Sequence, residues 1–358
     1  MKEIGIGIIG HGFMGHEHEK MLTSLEGYRV VGISDRDPEQ LADVVEGVKR
    51  YASNEELLAD PEIDVVIIAI NNNQHHDVVC QAARAGKDII CEKPVAMSLE
   101  ELDDMVRVTD ECGVKFTVHH QRRLDPDFQT MKNIFDAGSL GDVYTIKNSL
   151  YGFNGNMHDW HVFVEEGGGM LYDWGVHLLD QVLYMMPGAK IKAVFADIRN
   201  VINKEVDDYF KIVMRFDNNV TAEVELGTYY LADRPEEDKW FERHWFMGGN
   251  TGSAYVDGFF PEGKIVRTTH LLQNVGGKRT MTAAGPTRSF GPPSPGTIVT
   301  EPVEVATTTH EDYFRNYRKA YFGEGDFLVK IPETRRVLAL MDAVRESGRT
   351  CQSIAFEA

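Results

Sequence analysis

Two things are scarce in this sequence of 358 residues: it has no apolar run of 18 residues, and its four cysteines, Cys80, Cys91, Cys112 and Cys351, form no C-x-x-C pair. The first scarcity argues against a membrane-spanning helix, the second against a thiolate zinc site or a dithiol redox centre. Cys80 and Cys91 fall in segments that read as a buried helix and a buried strand, so reduced structural thiols are expected. Positive charge is also short, with 37 Lys and Arg against 56 Asp and Glu, a net charge of −19. That balance repels nucleic acid and anionic lipid, and neither is expected as a partner. The opening MKEIGIGIIGHG runs straight into a strand pattern, without the basic stretch, apolar core and small-residue site of a secretory leader. The cytoplasm is the expected location.

What is present is apolar material, 42% of residues against 26% charged, in a chain long enough for two cores. Residues 1–122 alternate short apolar runs (Ile4–Ile9, Val30–Ser34, Val65–Ile70, Asp88–Cys91 and Lys115–His119) with helical stretches. That alternation builds a doubly wound parallel sheet, an α/β domain whose strands are buried on both faces. Ser98-Leu-Glu-Glu101 forms a capping box after Lys93-Pro94, which makes the preceding loop a strand-to-helix turn. Residues 123–358 read as an α+β domain with a large, mostly antiparallel open sheet. Its clearest signal is a hairpin, Tyr209–Phe216 and Val220–Thr228, turning at Asp217-Asn-Asn219. Phe210, Ile212, Met214 and Phe216 line one apolar face with Val220, Ala222, Val224 and Leu226, to be covered by helices at Tyr172–Met186 and Glu333–Ser347. Residues 274–297, rich in Gly, Pro, Thr and Ser, read as a long excursion between strands.

Gly10-His-Gly12-Phe13-Met14-Gly15 follows the first strand and opens a helix, the context in which G-x-G-x-x-G cradles a dinucleotide pyrophosphate. Asp35 ends the next strand twenty residues after Gly15, where a carboxylate accepts hydrogen bonds from a ribose diol and repels a 2′-phosphate. NAD is therefore expected over NADP, with Arg36 able to stack on adenine, to accommodate a phosphate or to face solvent. Two further loops lie at strand carboxyl ends, where open α/β sheets bind ligands. One is Asn71-Asn72-Asn-Gln-His75-His76, the other Glu92-Lys93-Pro94. Asn71, Asn72, His75 and Glu92 are candidate cofactor contacts. Lys93 could steady alkoxide-like charge on a substrate oxygen, or be a surface ion pair. In Gly167-Gly-Gly-Met-Leu-Tyr-Asp173-Trp-Gly-Val-His177-Leu-Leu-Asp180, Asp173 and His177 sit four residues apart on one helical face. His177 suits removal of a hydroxyl proton and Asp173 suits orientation of substrate or ring, although a lone helical histidine is more often structural.

Four motifs taken in order, GIIGHGFMG, CEKP at Cys91–Pro94, QRRLDPDF at Gln121–Phe128 and GGGMLYDWGVHLLD at Gly167–Asp180, resemble the Gfo/Idh/MocA family of glucose-fructose oxidoreductases and inositol dehydrogenases. The likeness spans essentially the whole chain. It implies that Lys93, Asp173 and His177 match the family's catalytic lysine, aspartate and histidine, with His177 as general acid/base, and that Arg122 fits the cofactor-side pattern. It also implies a homodimer or homotetramer. The sequence departs at Ile70-Asn71-Asn72, where many relatives carry Thr-Pro-Asn, and at Gln121, where Asn is commoner.

The expected reaction is oxidation by NAD of a hydroxyl carbon of a sugar, glycoside or inositol-type polyol. Tyr151, Asn154, His158, Trp160 and His161 form an aromatic and polar loop suited to a sugar face, with Trp160 the stacking residue, unless that loop packs on another subunit. The His158-Asp-Trp-His161 cluster is not expected to hold a metal. Two alternatives stand beside this reading: an NAD-retaining glycosidase that oxidises, eliminates and re-reduces, and a non-catalytic NAD-binding regulator.

Overall fold

The structure is a computed structural model, and it describes residues 2–153, 156–230, 242–273, 281–286 and 293–356. Asn154 and parts of the 274–297 excursion lie outside the described residues.

The first sheet is parallel and contains β1 (Ile4–Ile9), β2 (Tyr28–Ser34), β3 (Lys49–Tyr51), β4 (Val65–Ile68), β5 (Asp88–Cys91) and β6 (Phe116–Val118). Its order is β3-β2-β1-β4-β5-β6, with the reversal of winding between β1 and β4. A ligand crevice opens outside the strand ends at such a point. Helices α1 (Phe13–Ser24), α2 (Asn54–Ala59), α3 (His75–Arg84) and α4 (Leu99–Cys112) connect the strands. β1 and β4 have no exposed residue, as strands covered on both faces require. β3 escaped the sequence reading because Lys49-Arg50-Tyr51 is a short polar edge strand with no apolar run. Helix α4 starts at the Ser98 cap, whose hydroxyl accepts from the Glu101 amide at 3.2 Å.

After α5 (Pro126–Asp136) the chain enters a nine-stranded mixed sheet. Its strands are β7 (Val143–Tyr151), β8 (Ile191–Arg199), β9 (Tyr209–Phe216), β10 (Thr221–Gly227), β11 (Glu242–Gly249), β12 (Gly252–Asp257), β13 (Glu262–Thr268), β16 (Ile298–Pro302) and β17 (Ile354–Ala355). Their order is β16-β13-β12-β11-β7-β10-β9-β8-β17, antiparallel throughout except for β7 beside β10. Within the excursion, β14 (Met281–Thr282) pairs with β15 (Gly285–Pro286). All eight apolar side chains assigned to the inner face of the β9–β10 hairpin are buried, each except the small Ala222 contributing about 1.5–3 kcal/mol of transfer free energy.

Helices α6 (Val176–Met185) and α8 (Ile331–Thr350) cover that face, α8 running three residues longer at its carboxyl end than the sequence spacing marks, to Thr350, and two longer at its start. Helix α7 (Glu311–Tyr321) instead sends Tyr313, Phe314 and Tyr317 into the core of the parallel sheet. α8 bridges both cores, Leu338 joining the first and Val337, Leu340, Met341 and Val344 the second. The chain end therefore straps the two sheets together. Among the described residues, no helix is long and apolar enough to cross a membrane, and all four cysteines are free.

Candidate active site

The glycine turn shows three separate demands. Gly10 has φ +93°, and a Cβ there would collide with the Ala69 carbonyl oxygen, so β4 packs where a side chain would be. A Cβ on Gly15 would meet the Gly10 carbonyl oxygen, which lets α1 sit tight against the turn. Gly12 faces open space, with no atom within 4 Å of the position its Cβ would take. It also caps α1 without a side-chain hydrogen bond, so the first amides of the helix point into that space unclaimed. A pyrophosphate fits such a cradle. Phe13 beside it is 80% exposed and Met14 half-buried.

Asp35 is pinned at the end of β2: its carboxylate accepts from the His11 amide at 2.7 Å and the Asp37 amide at 2.8 Å. Those bonds fix its orientation and leave lone pairs for a ribose diol. Arg36 is exposed next to it.

The residues of the next two loops diverge. Asn72 is buried and donates from Nδ2 to the Gly167 carbonyl at 3.1 Å, while Asn71 Nδ2 lies 3.3 Å from Glu166 Oε2. Both thus reach the glycine run that leads to Asp173. His75 is fully buried, with Nδ1 2.9 Å from the Pro94 oxygen and Nε2 3.1 Å from the Ile70 oxygen. Glu92 also turns inward. Its Oε1 meets His18 Nε2 at 2.7 Å and His119 Nδ1 at 2.8 Å, and its Oε2 accepts from the Lys93 amide at 3.2 Å. Burial works to raise the Glu92 carboxyl, but His119 and His18 outweigh it and hold the group well below the carboxylate range. These four side chains brace the loops.

Lys93 points the other way, into the cleft between the two sheets. Its Nζ donates to the Asp173 backbone oxygen and to Asp173 Oδ1, both at 2.8 Å, with the two side chains only 12% and 18% exposed. Burial tends to raise the Asp173 carboxyl, yet Lys93, then His161 and Arg122, keep it below the usual carboxylate value. Asp173 lies in a wide π turn, Leu171–Gly175, that precedes α6, and no hydrogen bond joins it to His177. The expected Asp173–His177 pairing is replaced by Asp173–Lys93, because the ammonium 80 positions back in the chain claims the carboxylate.

His177 is 3% exposed, in the first turn of α6. Burial, then the charges of Lys93 and Arg122, hold it well below the ordinary imidazole range, so the ring is neutral and open to a proton. Its Nδ1 is enclosed without a partner. The Arg122 guanidinium lies 4.0 Å above the Trp174 ring, and 3.2 Å from Asp125. Trp160 stacks on His161 at 3.8 Å, and His161 Nε2 is 3.7 Å from Asp173 Oδ2, which brings the aromatic loop to the edge of the lysine–aspartate pair.

Several residues have no signature in the sequence. His120 and Arg123 lie beside Asp180 of α6: Arg123 grips Asp180 through Nε at 2.8 Å and Nη2 at 2.7 Å. Gln181 donates to the Arg122 oxygen at 2.7 Å and accepts from Arg243 at 2.6 Å. The adjacent His119-His120 and Arg122-Arg123 pairs were the only available signal: both histidines are buried, and Arg123 is buried more deeply than Arg122.

Residues 4–120 match the family model described as the oxidoreductase family with NAD-binding Rossmann fold, and residues 128–254 match the GFO/IDH/MocA C-terminal domain. A scyllo-inositol 2-dehydrogenase (NADP(+)) of Bacillus subtilis is 31% identical over 217 residues, 60% of this chain and 60% of its own length. A 2,7-anhydro-N-acetylneuraminate hydratase of Mediterraneibacter gnavus is 27% identical over 266 residues, 72% of this chain and 68% of its own. The crystal structure of an NAD-binding protein from Listeria innocua superposes with a TM-score of 0.88 at 30% identity, covering 99% of this chain and 100% of that one.

Proposed function

The chain belongs to the Gfo/Idh/MocA family of NAD-binding oxidoreductases, and on that premise we propose that it oxidises a secondary hydroxyl or hemiacetal carbon of a sugar, glycoside or inositol-type polyol. The glycine turn and Asp35 would hold NAD, which would supply the hydride acceptor. His177 takes the hydroxyl proton at its imidazole, and Lys93 steadies the negative charge that grows on the same oxygen. Asp173 aims the ammonium through the bonds at 2.8 Å and keeps it from straying toward solvent. Burial, with the charges of Lys93 and Arg122, keeps His177 neutral between turnovers, ready as a base. Trp160 offers a ring face to the substrate.

The observation that carries this reading is the convergence of Lys93 from the parallel sheet with Asp173, one turn before a buried neutral His177. The chain's open second sheet suits pairing into a homodimer or homotetramer. The test is NADH formation, followed by absorbance, with inositols, aldoses and glycosides. Turnover that survives replacement of His177 by Ala while NAD still binds refutes the assignment.

A second reading gains support from the relative named as a hydratase. The same residues could serve a closed cycle in which oxidation is transient, as in an NAD-retaining glycosidase. Product without accumulating NADH separates that cycle from net dehydrogenation.

A further inference from the structure

Behind the reacting face of His177 lies a group of buried imidazole nitrogens without partners. His120 lies two residues beyond β6 and is 1% exposed, and neither of its ring nitrogens has a hydrogen bond among the described residues. Its ring stands edge-on to His177, centroids 6.3 Å apart at 84°. His177 Nδ1 is likewise enclosed and unpartnered. His120 Nδ1 is 3.9 Å from Asp180 Oδ2, too long for a hydrogen bond but close enough for the carboxylate to act on the ring. Asp180 is one turn beyond His177 on α6 and is held bidentately by Arg123.

Buried polar atoms are almost always satisfied, by protein or by ordered water, and three orphaned nitrogens gathered at one place mark a site built for a bond not drawn by the protein alone. A histidine's reactive nitrogen is defined by what its other nitrogen does. We propose that His120 is the positioning residue of the reaction: its Nε2 accepts the hydrogen bond of His177 Nδ1–H, directly or across one enclosed water, while its own Nδ1–H faces Asp180. This rests on the assignment of His177 as the base. The proton on Nδ1 leaves His177 Nε2 bare toward the cleft, where it takes the substrate proton.

The charges around this pair fit that role. His177 faces Lys93, Arg122, His119 and His120, and His120 faces Asp180, Arg123, Lys93 and Glu92. Burial holds His120 below the ordinary imidazole value, so it is neutral and can act as an acceptor. When His177 becomes imidazolium among cations, Asp180 is the anion that balances it, and His120 is the group between them. No proton travels beyond His177 in this scheme.

The test is nitrogen NMR of the NAD-loaded protein labelled with ¹⁵N-histidine, the His177 signal being assigned by its loss in His177→Gln. The expected wild-type spectrum has His177 neutral at pH 7 with its proton on Nδ1. In His120→Phe the Nε2–H tautomer becomes the major form, and in His120→Gln, which keeps an acceptor, most of the Nδ1–H form returns. A wild-type His177 protonated on Nε2, or a tautomer unmoved by His120→Phe, overturns the proposal. If His120→Phe fails to fold, the wild-type tautomer and that of His120→Gln still decide it. No substrate enters this measurement, so its failure is separate from a failure of the dehydrogenase reading, which NADH assays of His177→Ala report.

Discussion

Two sets of buried histidines differ in how their nitrogens are used. His11 and His75, in the first domain, have both ring nitrogens engaged: His11 with the Gln40 oxygen at 2.7 Å and Glu19 at 3.0 Å, His75 with the Pro94 and Ile70 oxygens. His120 and His177 are equally buried and carry three unpartnered nitrogens between them. An imidazole with an oxygen beside each nitrogen is a brace, because its N–H has an acceptor whichever nitrogen carries the proton. One without such partners has been desolvated at a cost of a few kcal/mol with nothing in the fold to offset it, which makes sense where a substrate, water or proton completes the set.

The contrast is broken most sharply at His177. Its replacement by Ala should lower kcat by roughly 10²–10⁴, the span of general acid–base catalysis, while NADH affinity and the melting temperature stay close to wild type. A comparable fall in melting temperature would make His177 a brace like His75. Lys93→Met should cost on the order of 10²–10³ in kcat, as removal of a group facing developing negative charge does. It also leaves Asp173 as a buried carboxylate without its cation. Its pKa should therefore climb, visible as a carboxyl ¹³C titration moved to higher pH; a wild-type titration together with wild-type turnover would remove Lys93 from the site.

The opposite outcome is expected at His75. His75→Phe keeps the volume but removes the one N–H that the neutral ring donates, to the Pro94 or the Ile70 oxygen, about 1–3 kcal/mol of stability. Denaturant unfolding measures it, with kcat falling only as far as the loop holding Lys93 shifts. A fall in kcat as large as that of His177→Ala, with unchanged stability, would erase the distinction.

How much of this could be read from the sequence follows the range of each interaction. The glycine turn and Asp35 are local, their spacing set by one strand, one turn and one helix, and they lie where the spacing puts them. The β9–β10 hairpin was equally legible, since its alternation is a period of two over eight residues. β3 carries no such pattern. The Asp173–Lys93 bond spans 80 positions, and helical spacing alone suggested Asp173–His177 instead. Likewise nothing in the order Glu92-Lys93 says that the first turns inward to His18 and His119 and the second outward. Neighbouring polar residues at a strand end alternate sides, and which side faces the cleft depends on partners from α1 and β6.

The smallest effect per group, and the one that tests both histidine sets at once, is the response of stability to acid. Burial lowers the pKa of His75, His120 and His177 from the ordinary imidazole value of 6.5, and brings His119 down to about 4. Below pH 6.5 each of these rings takes up a proton in the unfolded chain before it does so in the native protein. The unfolded state then binds more protons, so stability falls as pH falls, by at most roughly 1.4 kcal/mol per pH unit for each histidine until its native pKa is reached. Asp173 adds nothing in that window: its native pKa is below 3.8, so its share is present above that value and lost only at lower pH. Thermal unfolding between pH 7.5 and 5 should therefore show a steady loss beginning near pH 6.5. His177→Gln, which cannot titrate, should flatten the slope by one histidine's share, and so should His75→Gln. Equal flattening by the two variants, set against the large difference in their kcat, would mean that burial is common to both sets and that only the unpartnered nitrogens distinguish chemistry from bracing. A stability that stays level from pH 7.5 to 5 would mean that these rings titrate in the native protein as they do in the unfolded chain, and burial would then not be what keeps His177 neutral.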